Sequence, residues 1–231
     1  MNDMGTSGKR RIRGWKLIGL VSLFVLGMVF FTFRDQCLAN FLAASGSPRL
    51  LRMIIRNRAS LDSACNRSGK FPIVDAVESG NEQTLSYLIS EHTRVNVRNP
   101  DGATPLIIAA EKGKLPIVKL LVAARADLDA VDVTGSSALR YAVRTGSSDV
   151  AKFLIGLGAN VNLATNDGDT ALIRAAAAAN LELVHLLVTH GADRNHRDSR
   201  GQRALDYLPS TASASLIREI APEPESNHSK D

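Results

Sequence analysis

The stretch GATPLIIAAEKG, Gly102–Gly113, decides the reading of this chain, because it is written again and again at a fixed interval. GSSALRYAVRTG (Gly135–Gly146) and GDTALIRAAAAA (Gly168–Ala179) follow it, and GKFPIVDAVESG (Gly69–Gly80) precedes it as a weaker copy. Gly69, Gly102, Gly135, Gly168 and Gly201 stand 33 residues apart. Gly80, Gly113 and Gly146 keep the same interval, with Ala179 in the next slot, and so do Leu106, Leu139, Leu172 and Leu205. A period of this length describes a chain built of stacked copies of one supersecondary unit.

Each slot has a local reason. Thr104 is placed to cap a first helix, and Pro105 occupies its first turn, where the missing N–H costs nothing. Ala109 and Ala110 keep that helix slim, so adjacent copies approach closely. Gly113 suits the left-handed residue that ends it. A second helix follows, with Ile117, Val118, Leu120 and Leu121 on one face; Val150, Phe153 and Leu154, then Leu183, Val184, Leu186 and Leu187, repeat the stripe. Gly158 and Gly191 stop this helix, and Asp129, Asn162 and Asn195 begin the loop to the next unit. One such unit leaves its apolar faces wet, so only stacking buries them.

Motif and period together resemble the ankyrin family, over residues 36–221. The resemblance implies an all-α solenoid of helix-turn-helix units joined by hairpin loops, and a protein-binding role with no enzymatic activity. Four clear repeats run from 66 to 197. Asn40–Ser45, Pro48–Ile55 and the turn at Ala59, Leu61 and Asp62 read as an irregular N-terminal cap; GQRALDYL from Gly201 breaks at Pro209, and Leu216, Ile217 and Ile220 make a closing helix.

Departures from the family pattern are also readable. Its usual histidine after the leucine is replaced by Val74, Ile107, Arg140 and Ile173, which removes the hydrogen bond that histidine makes between loops. His92 and Arg125 stand where Gly158 and Gly191 close the second helix, at a cost of about 1 kcal/mol each if left-handed. Asp75 and Arg174 occupy a first-helix slot that is normally apolar, and are expected to reach the concave face.

In similar proteins the concave side, made of hairpin tips and first helices, receives the partner. Carried over slot by slot, that implies Arg67, Ser68, Lys70 and Glu78, then Pro100, Asp101, Ala103, Glu111 and Lys112. Val133, Thr134, Ser136, Arg144 and Thr145 follow. Asn166, Asp167, Asp169, Ala177 and Ala178 come next, and Ser199, Arg200 and Gln202 close the set. Mixed signs suit a protein rather than a polyanion.

Ahead of the repeats, Leu17–Phe33 (LIGLVSLFVLGMVFFTF) contains no charged residue. Seventeen helical residues reach roughly 25 Å, close to the hydrocarbon thickness, with Lys16 and Arg34 able to snorkel and Trp15 at the interface. This reads as a single transmembrane helix, 17–33, in contact with the lipid bilayer. A cleaved signal peptide is the alternative; the run exceeds the 7–15 residues usual for one. Lys9, Arg10, Arg11, Arg13 and Lys16, against Asp3, place four of the five net positive charges in residues 1–16. The positive-inside rule then puts that tail in the cytoplasm and the repeats outside it, in the periplasm of a bacterium. A scaffold facing the cytosol is the other reading. Residues 222–231 (PEPESNHSKD) have the composition of a disordered tail.

The basicity belongs to the tail, so nothing in the repeats signals nucleic acid. Cys37 and Cys65 alone make neither a zinc site nor a disulfide scaffold, though one bridge between them stays open. His185, His190 and His196 fall on an outer helix, its end and a loop, without metal-ligand spacing. Asp149 and Glu182 read as lone carboxylates on helix surfaces. The glycines serve turns rather than a phosphate cradle. The sequence therefore implies no cofactor, no metal, no small-molecule substrate and no catalytic residue.

Overall fold

The computed structural model describes residues 71–221, and the cap before them, Arg67, Ser68, Lys70, both cysteines and the apolar run at 17–33 lie outside the described residues. Helices come in pairs. α1 (Pro72–Ser79) and α2 (Glu82–Ser90) form the first pair, α3 (Pro105–Glu111) and α4 (Leu115–Ala123) the second. α5 (Ala138–Arg144) and α6 (Ser148–Gly156), then α7 (Ala171–Ala177) and α8 (Leu181–Thr189), complete the series. The last unit departs from it. Its first helix is a short 3-10 turn, Ala204–Tyr207, before α9 (Ala214–Ile220). Leu208, held extended ahead of Pro209 (φ −64°, ψ 136°), explains that truncation, since a residue before proline avoids the helical region.

Inner helices α1, α3, α5, α7 and the 3-10 turn stack in chain order; outer helices α2, α4, α6, α8 and α9 form a second row behind them. Among the described residues the only strand-like pairing is two isolated bridges, Val131 with Ser137 and Ala164 with Thr170, closing two hairpins. The shared core lies between the rows. Leu106, Leu139 and Leu172 are buried, as are Ala109, Ala142 and Ala175, while Ile117, Val118 and Leu121 of α4 meet them from behind. Leu120, Phe153 and Leu186, expected on the same stripe, are only half-buried at its edge. In α9, the expected closing helix, Leu216 and Ile220 are buried and Ile217 points outward at 45% exposure. With seven residues, α9 has two turns, and it packs against α8 and the 3-10 turn. Among the described residues no helix is long and apolar enough to cross a membrane.

The Thr104 cap forms as read, and the same slot in the next two units repeats it. Thr104, Ser137 and Thr170 accept the amides of Ile107, Arg140 and Ile173 at the heads of α3, α5 and α7. His92 and Arg125 are left-handed, with φ 56° and 64°, and Ala179 joins them at 49° in the slot that Gly80, Gly113 and Gly146 fill. The stack forces these residues into a region that L side chains avoid.

Two ladders with the 33-residue period tie neighbouring units. At the hairpin tips the amides of Val133, Asn166 and Ser199 donate to the carbonyls of Asp101, Thr134 and Asp167. On the loops behind, side-chain oxygens of Asn96, Asp129 and Asn162 accept from the amides of Asp127, Asn160 and Asp193. Asp129 and Asn162 thus bridge units rather than only opening loops.

Candidate concave interface

The hairpin tips and the exposed edges of the inner helices enclose two concave pockets that share a wall made by Val133, Thr134 and Tyr141. The larger, of about 830 Å³, spans the fourth to sixth units, and the smaller, of about 490 Å³, spans the second to fourth. α3, α5 and α7 have seven residues each, so their C-terminal turns and the neighbouring tips leave a trough between them.

A buried polar network forms the floor of the larger pocket. Arg140 reaches the next unit and donates through Nη2 to Asp169 Oδ2 at 2.5 Å, and through Nη1 to Ser136 Oγ at 3.0 Å. Arg174 donates its Nε to the same Asp169 oxygen at 2.5 Å. The side chains of Arg140 and Asp169 are only 10% and 8% exposed, so this is a buried ion pair, whereas Arg174 is 42% exposed and opens into the pocket. The expectation that the missing histidine leaves the loops unbonded is corrected here. Arg140, in the histidine's slot, has the reach to make an inter-repeat contact of its own. His196 adds another from an unrelated slot, donating through Nε2 to the Gly168 carbonyl at 2.9 Å.

Two tyrosine–aspartate pairs repeat on either side of that floor. Tyr141 donates to Asp132 Oδ2 at 2.8 Å, and Tyr207 donates to Asp198 in the same relative position, nine residues apart in each case. Asp132 also accepts from the Thr134 amide and hydroxyl and the Ser136 amide. Burial alone would raise its pKa; the bonds from Thr134, Tyr141 and Ser136 outweigh that and hold the carboxyl below its usual range. Burial pushes the Tyr141 phenol up, and the bond to Asp132 adds to the rise. Arg144 stacks over the Tyr141 ring, 4.5 Å from its centroid, and bridges to Glu111 at 2.7 Å, across the boundary between the pockets.

The residues implied for binding divide into three groups. Val133, Thr134, Arg144, Asn166, Asp167, Ser199 and Arg200 line the larger pocket from exposed positions. Glu78, Asp101, Glu111 and Lys112 line the smaller one, with Glu78 half-buried. Ala103, Ser136 and Asp169 do not present contact surface. They are 8%, 2% and 6% exposed, because this slot turns back from the tip toward the inner-helix cap. They support the pockets from beneath. Thr145 is exposed but lines neither pocket; its hydroxyl is held by the Tyr141 carbonyl. Gln202 stands behind the last tip, its amide on Asp198.

Sequence reasoning missed Arg140, Tyr141, Asp132, Asp198 and Tyr207 as pocket residues. The nine-residue spacing of the two Tyr–Asp pairs was a readable signal for four of them. The histidines do not meet. His185 pairs with Glu219 at 3.1 Å, and His190 with the Leu186 carbonyl. Glu182 is not alone either, since Lys152 of the neighbouring outer helix holds it at 2.5 Å.

The family model for Ankyrin repeats (3 copies) matches residues 39–132, 73–165 and 125–198. Among solved structures, where 550 chains match, the ankyrin repeat domain of Bcl-3, described as a unique member of the IkappaB protein family, is similar at 28% identity. That similarity covers 79% of this chain and 80% of the other, with a TM-score of 0.70. No curated protein matches.

Proposed function

This chain belongs to the ankyrin-repeat family, and from that premise we propose that its concave face binds a partner protein, with the repeats held at a membrane by residues 17–33. Ankyrin repeats are protein-interaction modules, and no catalytic family is indicated. One observation carries the reading for this chain: two adjoining concave pockets, walled by exposed hairpin-tip and inner-helix side chains. Such troughs offer shape and mixed charge without a reactive constellation, which suits capture or inhibition of a protein.

The membrane part rests on sequence. An uncharged run of seventeen residues follows five cations, which favours an anchor with the repeats outside the cytoplasm. Enzymatic fusions to the C-terminus read out the side directly. Alkaline phosphatase is active and green fluorescent protein dark if the repeats are extracytoplasmic; the reverse result assigns them to the cytosol.

Partner binding is tested by a photo-crosslinking residue in the full chain. Val133, 64% exposed on the wall between the pockets, should yield a discrete adduct in cells. Leu157, 47% exposed at the end of outer helix α6, should not. Combined alanine substitution of Asp101, Thr134 and Asp167 should reduce the Val133 adduct. Equal adducts from both positions would count against a concave interface.

A further inference from the structure

Resting on that protein-binding reading, we propose that Arg174 is a ready-made receptor for one side-chain carboxylate, carried by an aspartate or glutamate of the partner protein. The inner-helix slot it occupies recurs every 33 residues, as Ile108, Tyr141, Arg174 and Tyr207. A cation therefore stands between the tyrosines of the units before and after it, and all three line the larger pocket.

Those two tyrosines have acceptors of their own. Tyr141 and Tyr207 each turn a hydroxyl onto the aspartate nine residues earlier, Asp132 and Asp198. Nine residues before Arg174 stands Thr165, which has no carboxylate and whose hydroxyl already accepts the Asp169 amide. Arg174 takes Asp169 instead, through Nε alone, at 2.5 Å. Its Nη1 and Nη2 have no hydrogen-bond partner among the described residues, and the side chain is 42% exposed. These two nitrogens are the open end of the fork, which meets the two oxygens of a carboxylate with parallel bonds.

The fork is also held still. Asp169 is buried and is fixed in turn by Arg140, so the Arg174 Nε has a rigid anchor. A guanidinium ordered before the partner arrives loses less freedom on binding.

Opposite charges in contact offset one another throughout the pocket. Arg144 is offset by Glu111, and Arg200 by Asp198. Arg140 and Arg174 share the single carboxylate of Asp169, which leaves one positive charge on that triad. Asp167, exposed and in no ion pair among the described residues, opposes it from the hairpin tip. The pocket is thus close to neutral, and the unfilled fork selects the carboxylate, not a surplus of charge. One incoming negative charge completes the triad; a second would face Asp167 without compensation. At about 830 Å³ the pocket is far larger than a carboxylate, and exposed Thr134, Asn166 and Ser199 wall the remainder, which suits a carboxylate carried on a polypeptide.

The test titrates end-blocked Gly-Ser-Glu-Ser-Gly, and its counterparts with glutamine or phosphoserine in the centre, into the full chain in detergent micelles. Backbone amide NMR signals of Thr134, Asn166 and Ser199 report occupancy. The glutamate peptide should bind about tenfold more tightly than the glutamine peptide, and more tightly than acetate or the phosphoserine peptide. Arg174→Gln should abolish the preference for glutamate. Arg174→Lys, which keeps the charge and loses the fork, should retain a preference of about threefold at most. Arg140→Val with Asp169→Ala leaves Arg174 in place without its anchor and should weaken glutamate binding about threefold. A preference that is absent, survives Arg174→Gln, or is undiminished in Arg174→Lys or the double variant would overturn the proposal. So would tighter binding of phosphoserine, which assigns the fork to phosphate, or of acetate, which assigns it to small ions. If the preference is absent while a Val133 adduct forms, the carboxylate receptor fails and the protein-binding reading stands. If the preference holds and the adduct is missing, the receptor stands and the protein-binding reading fails.

Discussion

The second and fourth repeats solve the same contact in opposite ways. Two positions illustrate it: the inner-helix slot after the leucine, and the loop slot it reaches in the next unit. From the second repeat these are Val74 and Ala103, both buried and apolar. Sixty-six residues on, they are Arg140 and Asp169, equally buried and charged. The backbone is alike in both, with a β-region cap residue and a helix of seven or eight residues behind it. An ankyrin stack therefore accepts either dispersion or an ion pair at this joint. A buried pair gains little over well-packed apolar groups and is costly to break by halves. What it adds here is position, since Asp169 also fixes the Arg174 guanidinium at the pocket mouth.

Halving the polar joint is the sharpest way to break the comparison, and carries the largest expected effect. Asp169→Ala strands Arg140, which is 9% exposed, and should cost about 3–5 kcal/mol. The double variant Arg140→Val with Asp169→Ala copies the second repeat and should recover all but about 1 kcal/mol of that. Urea unfolding followed by circular dichroism measures both. A double variant as unstable as the single one would show that the two joints are not interchangeable.

Hairpin tips offer a second contrast, between the interior of the stack and its end. Gly168 and Gly201 have almost the same backbone, φ 76° and 75°. A Cβ on Gly168 would stand 2.8 Å from Asp198 Cα, whereas one on Gly201 meets nothing within 4 Å. Gly201→Ala should therefore cost only left-handed strain, about 1 kcal/mol, and Gly168→Ala about 2 kcal/mol or more, because backbone must move. Equal losses in the same urea assay would mean that close approach between tips contributes nothing to stacking.

The same division between local and inter-unit features decides what was legible in the sequence. The period, the Thr104, Ser137 and Thr170 caps, the outer-helix stripe and the strained His92 and Arg125 are short-range, and all could be read. Arg140 could not, because its partner is 29 residues away and in another unit. Read alone, a polar residue in the histidine slot looked like a lost bond. Ala103, Ser136 and Asp169 looked like tip residues because slot arithmetic counts residues, and the chain has already turned inward by that count. Ile217 shared an apolar pattern with Leu216 and Ile220, yet it is exposed where they are buried, because no further outer helix follows α9 among the described residues. The concave face was thus legible as a surface, and the polar network beneath it was not.

The smallest expected effect, and the most specific, is on pH dependence in the fourth repeat. Asp132 is held below the ordinary carboxylate range, with Tyr141 among its donors, and its counterpart in the third repeat, Asn99, does not titrate. A carboxylate depressed in the folded state adds stability that is complete above its unfolded pKa, near 4, and is lost as pH falls toward its folded value. The Tyr141 phenol, raised in the folded state, has the opposite sense: its contribution holds below about pH 10 and is lost as pH rises past that. Tyr141→Phe removes both halves of the coupling. It should cost about 1 kcal/mol at pH 7, and the deficit should shrink both below pH 4 and above pH 10. Melting temperatures of wild type and variant across pH 2.5–11, a range chosen to bracket both groups, measure it. A deficit constant over that whole range would place the tyrosine's value in its ring, packed under Arg144, and not in its bond to Asp132.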